Sequence, residues 1–404
     1  MRPTLKPALS RIWHDGRTLQ LGHGPGTSHR YRLTAPVRAL IDALDGTRDT
    51  EALVAYAERI GLERGDALEL LDRLAADGCL DDAALDTSVL AALSSAERGR
   101  LAPDLSCLGL RYRLPGGALR ALERRQRAVV SVYGLGRVGA HTALRLAATG
   151  LGAVVPVDAS PVHQGDTGPA TYSDPDVGAR RQDCVVRAIR LLAPSTATGL
   201  PPHRAAPDLA IVAPGERPPT ALLADLTARC VPYLCVEVLE DRATVGPLVV
   251  PGATPCARCR DLARTDRDPL WPGVLARLSG HGAPSARQPA CDTTLAAIAA
   301  NYASLHALAF LDGYAPPTVA GILEFALPYA VPERTAVAAH PACGCTAHMG
   351  GGGAGGVVDA GISGTSASLV APATCASPAG HESAAPASLP AQSRLERDLA
   401  EWTM

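Results

Sequence analysis

Two kinds of hydrophobic pattern follow one another along the 404 residues of the chain. Short alternating runs come first: "RIWHDGRTLQLG" turns at Asp15-Gly16, which predicts a β-hairpin, and "HRYRLTAP" predicts a third strand. Three stretches with helical spacing follow, the first starting at Thr34 and Pro36, residues that favour a helix N-terminus. "CLDD" predicts one more short strand. The pattern therefore predicts a small α+β unit over residues 1–85.

The remaining patterns divide the chain into further regions. The hairpin, strand and three helices of residues 1–85 are typical of a winged-helix-like domain, and residues 86–127 are helix-prone and predict a connecting segment. Strand-length apolar runs alternate with helical spacing over 128–349, which predicts an α/β domain with a mostly parallel sheet. From Gly350 the chain is rich in Gly, Ala, Ser and Pro. Few large apolar residues are available to offset chain entropy, so 350–404 is predicted to be a disordered tail.

Composition narrows the classes of function. A net charge of −2 and the lack of a basic recognition helix argue against nucleic-acid binding. The sequence contains no run of about 20 uninterrupted apolar residues, so no membrane span is predicted. The N-terminus lacks the apolar core of a secretion signal, and we expect a cytoplasmic protein. In that compartment the 11 cysteines are expected to be reduced thiols or metal ligands.

A glycine loop lies between the first strand and helix of the larger domain. "VVSVYGLGRVGAHTALRLAATGLGAVVPVDAS" places Gly134, Gly136 and Gly139 as G-x-G-x-x-G, with Asp158 at the end of the next strand. In a Rossmann-type fold these glycines permit a tight turn, approach of a phosphate and close helix packing, while the acid accepts ribose hydroxyls. The pattern predicts a Rossmann-type fold. The glycines could equally serve packing alone, which leaves nucleotide binding open.

Two cysteine pairs occur later in the same domain. "TPCARCRDL" contains Cys256 and Cys259, and "HPACGCTA" contains Cys343 and Cys345. Four thiolates in two pairs can hold one tetrahedral zinc ion in a closed, structural site. The sequence therefore predicts a zinc clamp between two loops, the alternative being four ordinary thiols.

The glycine loop followed by two cysteine pairs resembles the E1-like ThiF/MoeB superfamily over about residues 128–345. Its members adenylate a C-terminal carboxylate with ATP, usually as homodimers, and many carry structural zinc. "PCARCRDLARTDRDPLWP" is similar to a segment of actinobacterial ThiF-like proteins from ribosomal-peptide modification clusters, often named TOMM or cyclodehydratase-associated proteins. The resemblance implies that this chain belongs beside them.

The sequence departs from the superfamily at positions that hold the nucleotide. The affected functions are the second acid of D-x-D, the asparagine and arginine of N-x-x-R-Q, the phosphate-binding lysine and the metal-binding aspartate. At or beside those positions this chain has Ser160, Asp166, Pro169, Arg181, and Gly215 followed by Glu216. An E1 reaction needs charge stabilisation at the phosphates. The resemblance therefore implies a degenerate domain in which Arg181 and Glu216 are the remaining candidates for phosphate and metal.

In the same branch the N-terminal unit resembles a PqqD-like winged-helix recognition element. Such a module holds the leader of a precursor peptide as an added strand between its third strand and third helix. The resemblance places this groove between His29–Thr34 and Asp66–Asp77. Arg30, Arg32 and Arg73 are candidates to meet acidic leader residues, and are equally consistent with a solvated face.

Three functions follow as hypotheses. The first is a leader-peptide-binding, non-adenylating E1-like protein that presents a precursor to a YcaO-type or other modifying enzyme. The second is an active adenylyltransferase that uses ATP and Mg²⁺ through Arg181 and Glu216. The third is an NAD-dependent oxidoreductase, which the glycine loop and Asp158 alone would permit. The cysteine pairs and the N-terminal module argue against the third.

Overall fold

The chain folds into two compact units that divide, along the sequence, between Arg124 and Arg125. The structure is a computed structural model that describes residues 1–24, 27–85, 87–169, 171–214, 219–279 and 290–345. The predicted tail over 350–404 and the candidate residue Glu216 lie outside the described residues.

Unit 1 contains each element that the pattern over residues 1–85 predicts. Its strands are β1 (Pro3–Leu5), β2 (Arg11–Asp15), β3 (Thr18–Leu21), β4 (His29–Arg32) and β5 (Leu80–Asp82). Its first helices are α1 (Ala35–Asp42), α2 (Thr50–Arg59) and α3 (Arg64–Ala76). The hairpin turns at Asp15, whose carboxylate accepts the N–H of Arg17 at 2.7 Å, and Thr34 caps α1. The winged-helix-like identity of this unit stays a prediction.

The sheet of unit 1 is antiparallel with the order β2-β3-β4, and β1 pairs separately with β5. The predicted connecting segment is helical: α4 (Ser88–Ala91), α5 (Ser95–Arg111) and α6 (Gly117–Arg127). A small apolar cluster of Leu93, Leu101 and Leu122 holds these helices together.

Lys6 is the only lysine of the chain and it is buried, with 3% of its surface exposed. Its ammonium group donates to the carbonyl oxygens of Tyr112 (3.0 Å) and Arg113 (3.3 Å), which follow α5. Burial lowers its pKa from the ordinary value. The two carbonyl bonds join the start of unit 1 to the end of α5.

Unit 2 has the strand–helix alternation that the sequence predicts. Its strands are β6 (Val129–Tyr133), β7 (Ala153–Val157), β8 (Leu209–Val212), β9 (Tyr233–Leu239), β10 (Arg242–Val249), β11 (Gly321–Ala326) and β12 (Glu333–Ala336). Its helices are α7 (Arg137–Ala148), α8 (Arg181–Leu192), α9 (Thr220–Ala228), α10 (Ala257–Arg267), α11 (Trp271–Ser279) and α12 (Thr293–Leu311).

One seven-stranded sheet organises unit 2, in the order β12-β11-β10-β9-β8-β6-β7. The strands β7, β6, β8 and β9 are parallel, as the sequence predicts. The strands β10, β11 and β12 continue the sheet in antiparallel pairing. Helices α7, α8 and α12 cover one face, and α9 with the start of α10 covers the other. The carboxyl ends of the parallel strands, where ligands bind in open α/β sheets, carry the glycine loop.

Helix α12 is the main core helix of unit 2. One face consists of small buried residues, which let α12 approach its neighbours closely: Ala296, Ala299, Ala300, Ala303 and Ala307. Among the described helices, α12 is the one that is long and apolar enough to cross a membrane by length and composition. A core helix has the same features, and the packed alanine face agrees with that role.

Acid should weaken unit 2 through His306 of α12. The ring is 6% exposed, its Nδ1 lies 3.0 Å from Thr318 Oγ1, and burial lowers its pKa to about 4. Because the unfolded value is about 6.5, the unfolded chain binds more protons below that pH. The free energy of unfolding should therefore fall as pH drops from about 6.5 towards 4, by about 2 kcal/mol at pH 5.

Urea unfolding at pH 7.5, 6 and 5 checks this expectation. His306→Gln keeps a hydrogen-bonding side chain without a titratable ring, so its stability should lose this part of the pH dependence. Equal pH dependence in the two proteins would exclude His306 as a source of acid sensitivity.

Candidate functional site

The three glycines of the loop after β6 have different roles. Gly134 has φ of +80°, and a Cβ there would lie 2.5 Å from the Cα of Pro214. A Cβ on Gly139 would lie 1.8 Å from the carbonyl oxygen of Gly134. Packing of the chain itself thus requires both glycines. Among the described residues, the atom nearest to a Cβ on Gly136 would be Oδ1 of Asp166 at 3.9 Å, so the described chain leaves space for a ligand beside Gly136.

Asp158 follows β7, as predicted, and its carboxylate is engaged by the chain. One oxygen accepts the N–H of Leu135 in the glycine loop at 2.7 Å, and the other accepts the N–H of Ser160 at 2.9 Å. These bonds fix the loop against the end of β7. Ser160, where the sequence resemblance places a second acid, has a buried Oγ with no hydrogen-bond partner among the described residues.

Arg181 lies at the start of α8, and its side chain reaches the carboxylate of Asp158. Its guanidinium pairs with Asp158 at 3.3 Å and donates twice to Oδ2 of Asp166, at 3.0 and 2.6 Å. Burial alone would lower the pKa of Arg181, but the two carboxylates raise it above the ordinary value. The structure therefore brings Gly134, Gly136, Asp158 and Arg181 together, with the arginine paired with two carboxylates, and their role in nucleotide binding stays a prediction.

Two residues that the sequence analysis did not single out also shape this site. Arg137, the first residue of α7, donates to the carbonyl oxygens of Gly165 (2.5 Å) and Cys291 (2.6 Å). The buried hydroxyl of Tyr172 donates to the carbonyl oxygen of Leu135 at 2.6 Å. Arg137 lies inside the glycine motif, where an arginine is a visible signal. Tyr172 lies in a segment without periodicity, so the sequence contains no comparable signal for it.

The four predicted cysteines converge on one point. Their sulfur atoms all lie within 4.8 Å of one another, with Cys256 and Cys343 at 3.4 Å and Cys259 and Cys345 at 3.3 Å. Zinc–sulfur bonds of about 2.3 Å in a tetrahedron place sulfurs about 3.8 Å apart. Four soft thiolates at these distances fit a closed zinc site, and the cluster is close enough to hold a metal ion.

The local chain explains this arrangement. Cys256 caps the N-terminus of α10 and Cys259 lies in its first turn, while Gly344 has φ of +72° between the other two cysteines. His340 is not needed as a ligand, because its Nε2 bonds Asp266 at 2.8 Å and its Nδ1 accepts the N–H of Ala342.

The candidate peptide groove of unit 1 is bounded by β4 and α3. The hydroxyl of Tyr31 in β4 donates a hydrogen bond to Asp77 at 2.5 Å. The guanidinium of Arg73 lies 5.4 Å from the centre of the Tyr31 ring. Arg30 instead bonds Gln20 of β3 at 3.1 Å. Since neighbouring strand residues point to opposite faces, Arg30 and Arg32 lie on the face away from Tyr31 and α3. Arg73 therefore lies on the Tyr31 side of β4 and the other two arginines on the opposite side, and a role of the three in peptide binding stays a prediction.

Comparison with known proteins places the fold. No protein-family model matches the chain, and no curated protein matches it. Solved structures do match: Escherichia coli MccB with ATP has a TM-score of 0.61 at 16% identity, covering 85% of this chain and 99% of that one. MccB with MccA-N7isoASN gives 0.62 at 16% identity, covering 86% and 99%. PaaA gives 0.61 at 17% identity, covering 82% and 99%.

One of the similar structures is described as the microcin C7 biosynthetic enzyme MccB in complex with N-formylated MccA. At 16–17% identity the likeness is one of fold. The chain thus shares the fold of MccB and PaaA.

Proposed function

We propose that the chain binds the leader of a ribosomally made precursor peptide and presents it to a modifying enzyme of the YcaO type, without adenylating it. The observation that carries this proposal is the outer edge of β4 beside α3, which pairs with no other described strand of unit 1. An E1-like unit 2, with a structural zinc ion, would then provide the surface to which the modifying enzyme binds.

The edge of β4 has the geometry of a strand acceptor. The strand is last in the sheet of unit 1, and the N–H of Leu33 donates inward to Arg17 at 2.6 Å. Because backbone groups alternate along an antiparallel strand, those of Tyr31 also point to β3, and those of Arg30 and Arg32 point outward. No backbone partner of these two residues occurs among the described residues of unit 1. A peptide strand could pair with them.

Side chains beside this edge favour an acidic and partly apolar peptide. Arg73 lies over Tyr31 on the α3 side, where it would meet a side chain of the added strand. The backbone of Arg30 and Arg32, rather than their side chains, would supply the hydrogen bonds. Affinity would come from main-chain pairing, and selectivity from the contacts with α3.

A substitution at Arg32 tests the proposal. Arg32→Pro removes an outward N–H and no hydrogen bond within the sheet, and proline is tolerated on edge strands. Arg32→Ala, the matched control, removes the side chain and keeps the N–H. Binding of a fluorescent leader segment from the precursor encoded beside this gene should weaken at least about tenfold in the proline variant.

The alanine variant should bind within about threefold of the wild type, since main-chain pairing carries the affinity. Equal binding by all three proteins would remove the strand-addition mode. Absence of peptide binding in the wild type would remove the proposed function itself.

An active adenylyltransferase is the second candidate, favoured by the likeness to MccB solved with ATP. Against it stands Arg181, which is paired with Asp158 and Asp166. Calorimetric titration with Mg-ATP, with NAD as the control ligand, separates the candidates. Saturable ATP binding near micromolar concentration, together with peptide-dependent pyrophosphate exchange, would favour the enzyme. Binding of NAD alone would favour an oxidoreductase.

A further inference from the structure

The open side of the glycine loop faces a carboxylate. Gly136 is the N-cap residue of α7 and has no side chain to bond the free N–H groups of the first turn. A Cβ built on Gly136 would lie 3.9 Å from Oδ1 of Asp166. In nucleotide-binding Rossmann folds this is the approach used by a phosphate group. Here a negatively charged oxygen of the chain already borders that approach.

Asp166 is held firmly in this position. Its Oδ2 accepts the N–H of His163 at 2.9 Å and two bonds from Arg181, and the residue is 9% exposed. Its Oδ1 remains on the side of Gly136. The carboxylate cannot turn away without breaking three bonds to its other oxygen.

Neither guanidinium near this carboxylate is directed at the space beside Gly136. Arg181 is shared between Asp158 and Asp166, so within this trio two carboxylates face one guanidinium. Arg137, the cation at the start of α7, is directed at oxygens of Gly165, Cys291 and Thr293. A phosphate entering beside Gly136 would be repelled by Asp166 and would find Arg181 already paired.

We propose that Asp166 determines the ligand class of the glycine-loop site by excluding polyphosphate anions from the N-terminus of α7. The proposal deepens the proposed function and rests on it, since it gives a physical reason why unit 2 does not adenylate. One residue then has two effects: it places a negative charge at the phosphate position, and it occupies the arginine that would bind phosphate.

Calorimetry on the full chain tests this assignment with Mg-ATP, inorganic tripolyphosphate and adenosine as ligands. Asp166→Asn removes the charge at nearly constant shape. Asp174→Asn is the matched control, because Asp174 lies in the same segment, is exposed, and its carboxylate bonds only Gln164 (2.9 Å) in the described structure. Affinity for ATP and tripolyphosphate should rise at least about tenfold in Asp166→Asn and stay unchanged in the control.

Adenosine separates phosphate recognition from nucleoside recognition and should bind equally to all three proteins. An equal gain for adenosine, no gain for the phosphates, or wild-type binding of ATP below about 10 μM would each overturn the proposal. If Asp166→Asn does not fold, as judged by circular dichroism, Asp166→Ser is titrated in its place with the same expected results. If these titrations fail while the wild type binds the leader peptide and Arg32→Pro weakens that binding, only the role of Asp166 is overturned. If the wild type does not bind the peptide, the proposed function itself is overturned.

Discussion

Replacing Cys256 with serine is expected to abolish binding of about one zinc ion per chain and to lower the melting temperature by roughly 10 °C. The four sulfurs converge within 4.8 Å and join the start of α10 to the turn after β12. Metal binding at such a site contributes directly to folding free energy. Loss of one thiolate leaves three ligands and an open position, so the clamp between these segments should be released.

Metal analysis of protein purified under reducing conditions, with thermal melts before and after a strong chelator, measures this effect. Cys184→Ser is the control for metal content, because Cys184 is buried in α8 and lies outside the cluster. The control should keep its zinc whatever the substitution does to stability. A wild-type zinc content well below one, or a Cys256→Ser protein that melts with the wild type, would refute the clamp.

Gly139→Ala should prevent unit 2 from folding stably, whereas Gly136→Ala should be tolerated. The methyl group on residue 139 would lie 1.8 Å from the carbonyl oxygen of Gly134, and backbone on both sides cannot move without separating α7 from β6. We expect a loss above about 4 kcal/mol, the range of severe core substitutions. At Gly136 the new methyl would meet no atom of the described residues nearer than Oδ1 of Asp166 at 3.9 Å, and the cost should be about 1 kcal/mol or less, as at other N-caps.

Chemical denaturation of the two variants provides the comparison. It also distinguishes two roles of glycine in this motif. A glycine required by close packing does not tolerate alanine, whereas a glycine that leaves space for a ligand does. If both variants unfold at the wild-type denaturant concentration, the close approach of α7 and β6 is wrong.

The sequence predicted the parallel half of the sheet because the apolar runs of β6, β7 and β8 are each followed by a helical pattern before the next apolar run. It did not predict that β10, β11 and β12 continue the sheet in antiparallel pairing. The turn between β9 and β10 contains Glu240 with φ of +59°, in place of the glycine or asparagine that favours that conformation. An apolar run also contains no information about the direction of its partner.

In the candidate site, too, some features could be predicted from the sequence and others could not. The cysteine pairs could be recognised because their spacing within each pair limits their geometry, and the structure brings all four together. The resemblance placed Arg30, Arg32 and Arg73 beside one groove, whereas the alternation of strand side chains separates Arg30 and Arg32 from the Tyr31 face. The pairing of Asp166 with Arg181 depends on the irregular segment after β7, where no periodicity constrains the path of the chain.

The buried position of Lys6 has a chemical consequence for a protein proposed to work beside enzymes that activate carbonyl groups. Activated carboxylates acylate amines, and lysine side chains on a protein surface are ready acceptors. This chain has a single lysine, whose ammonium group is bound to two carbonyl oxygens in unit 1. While unit 1 is folded, the described surface presents guanidinium groups and no lysine amine, so an activated carboxylate beside the chain would find its lysine side chain shielded.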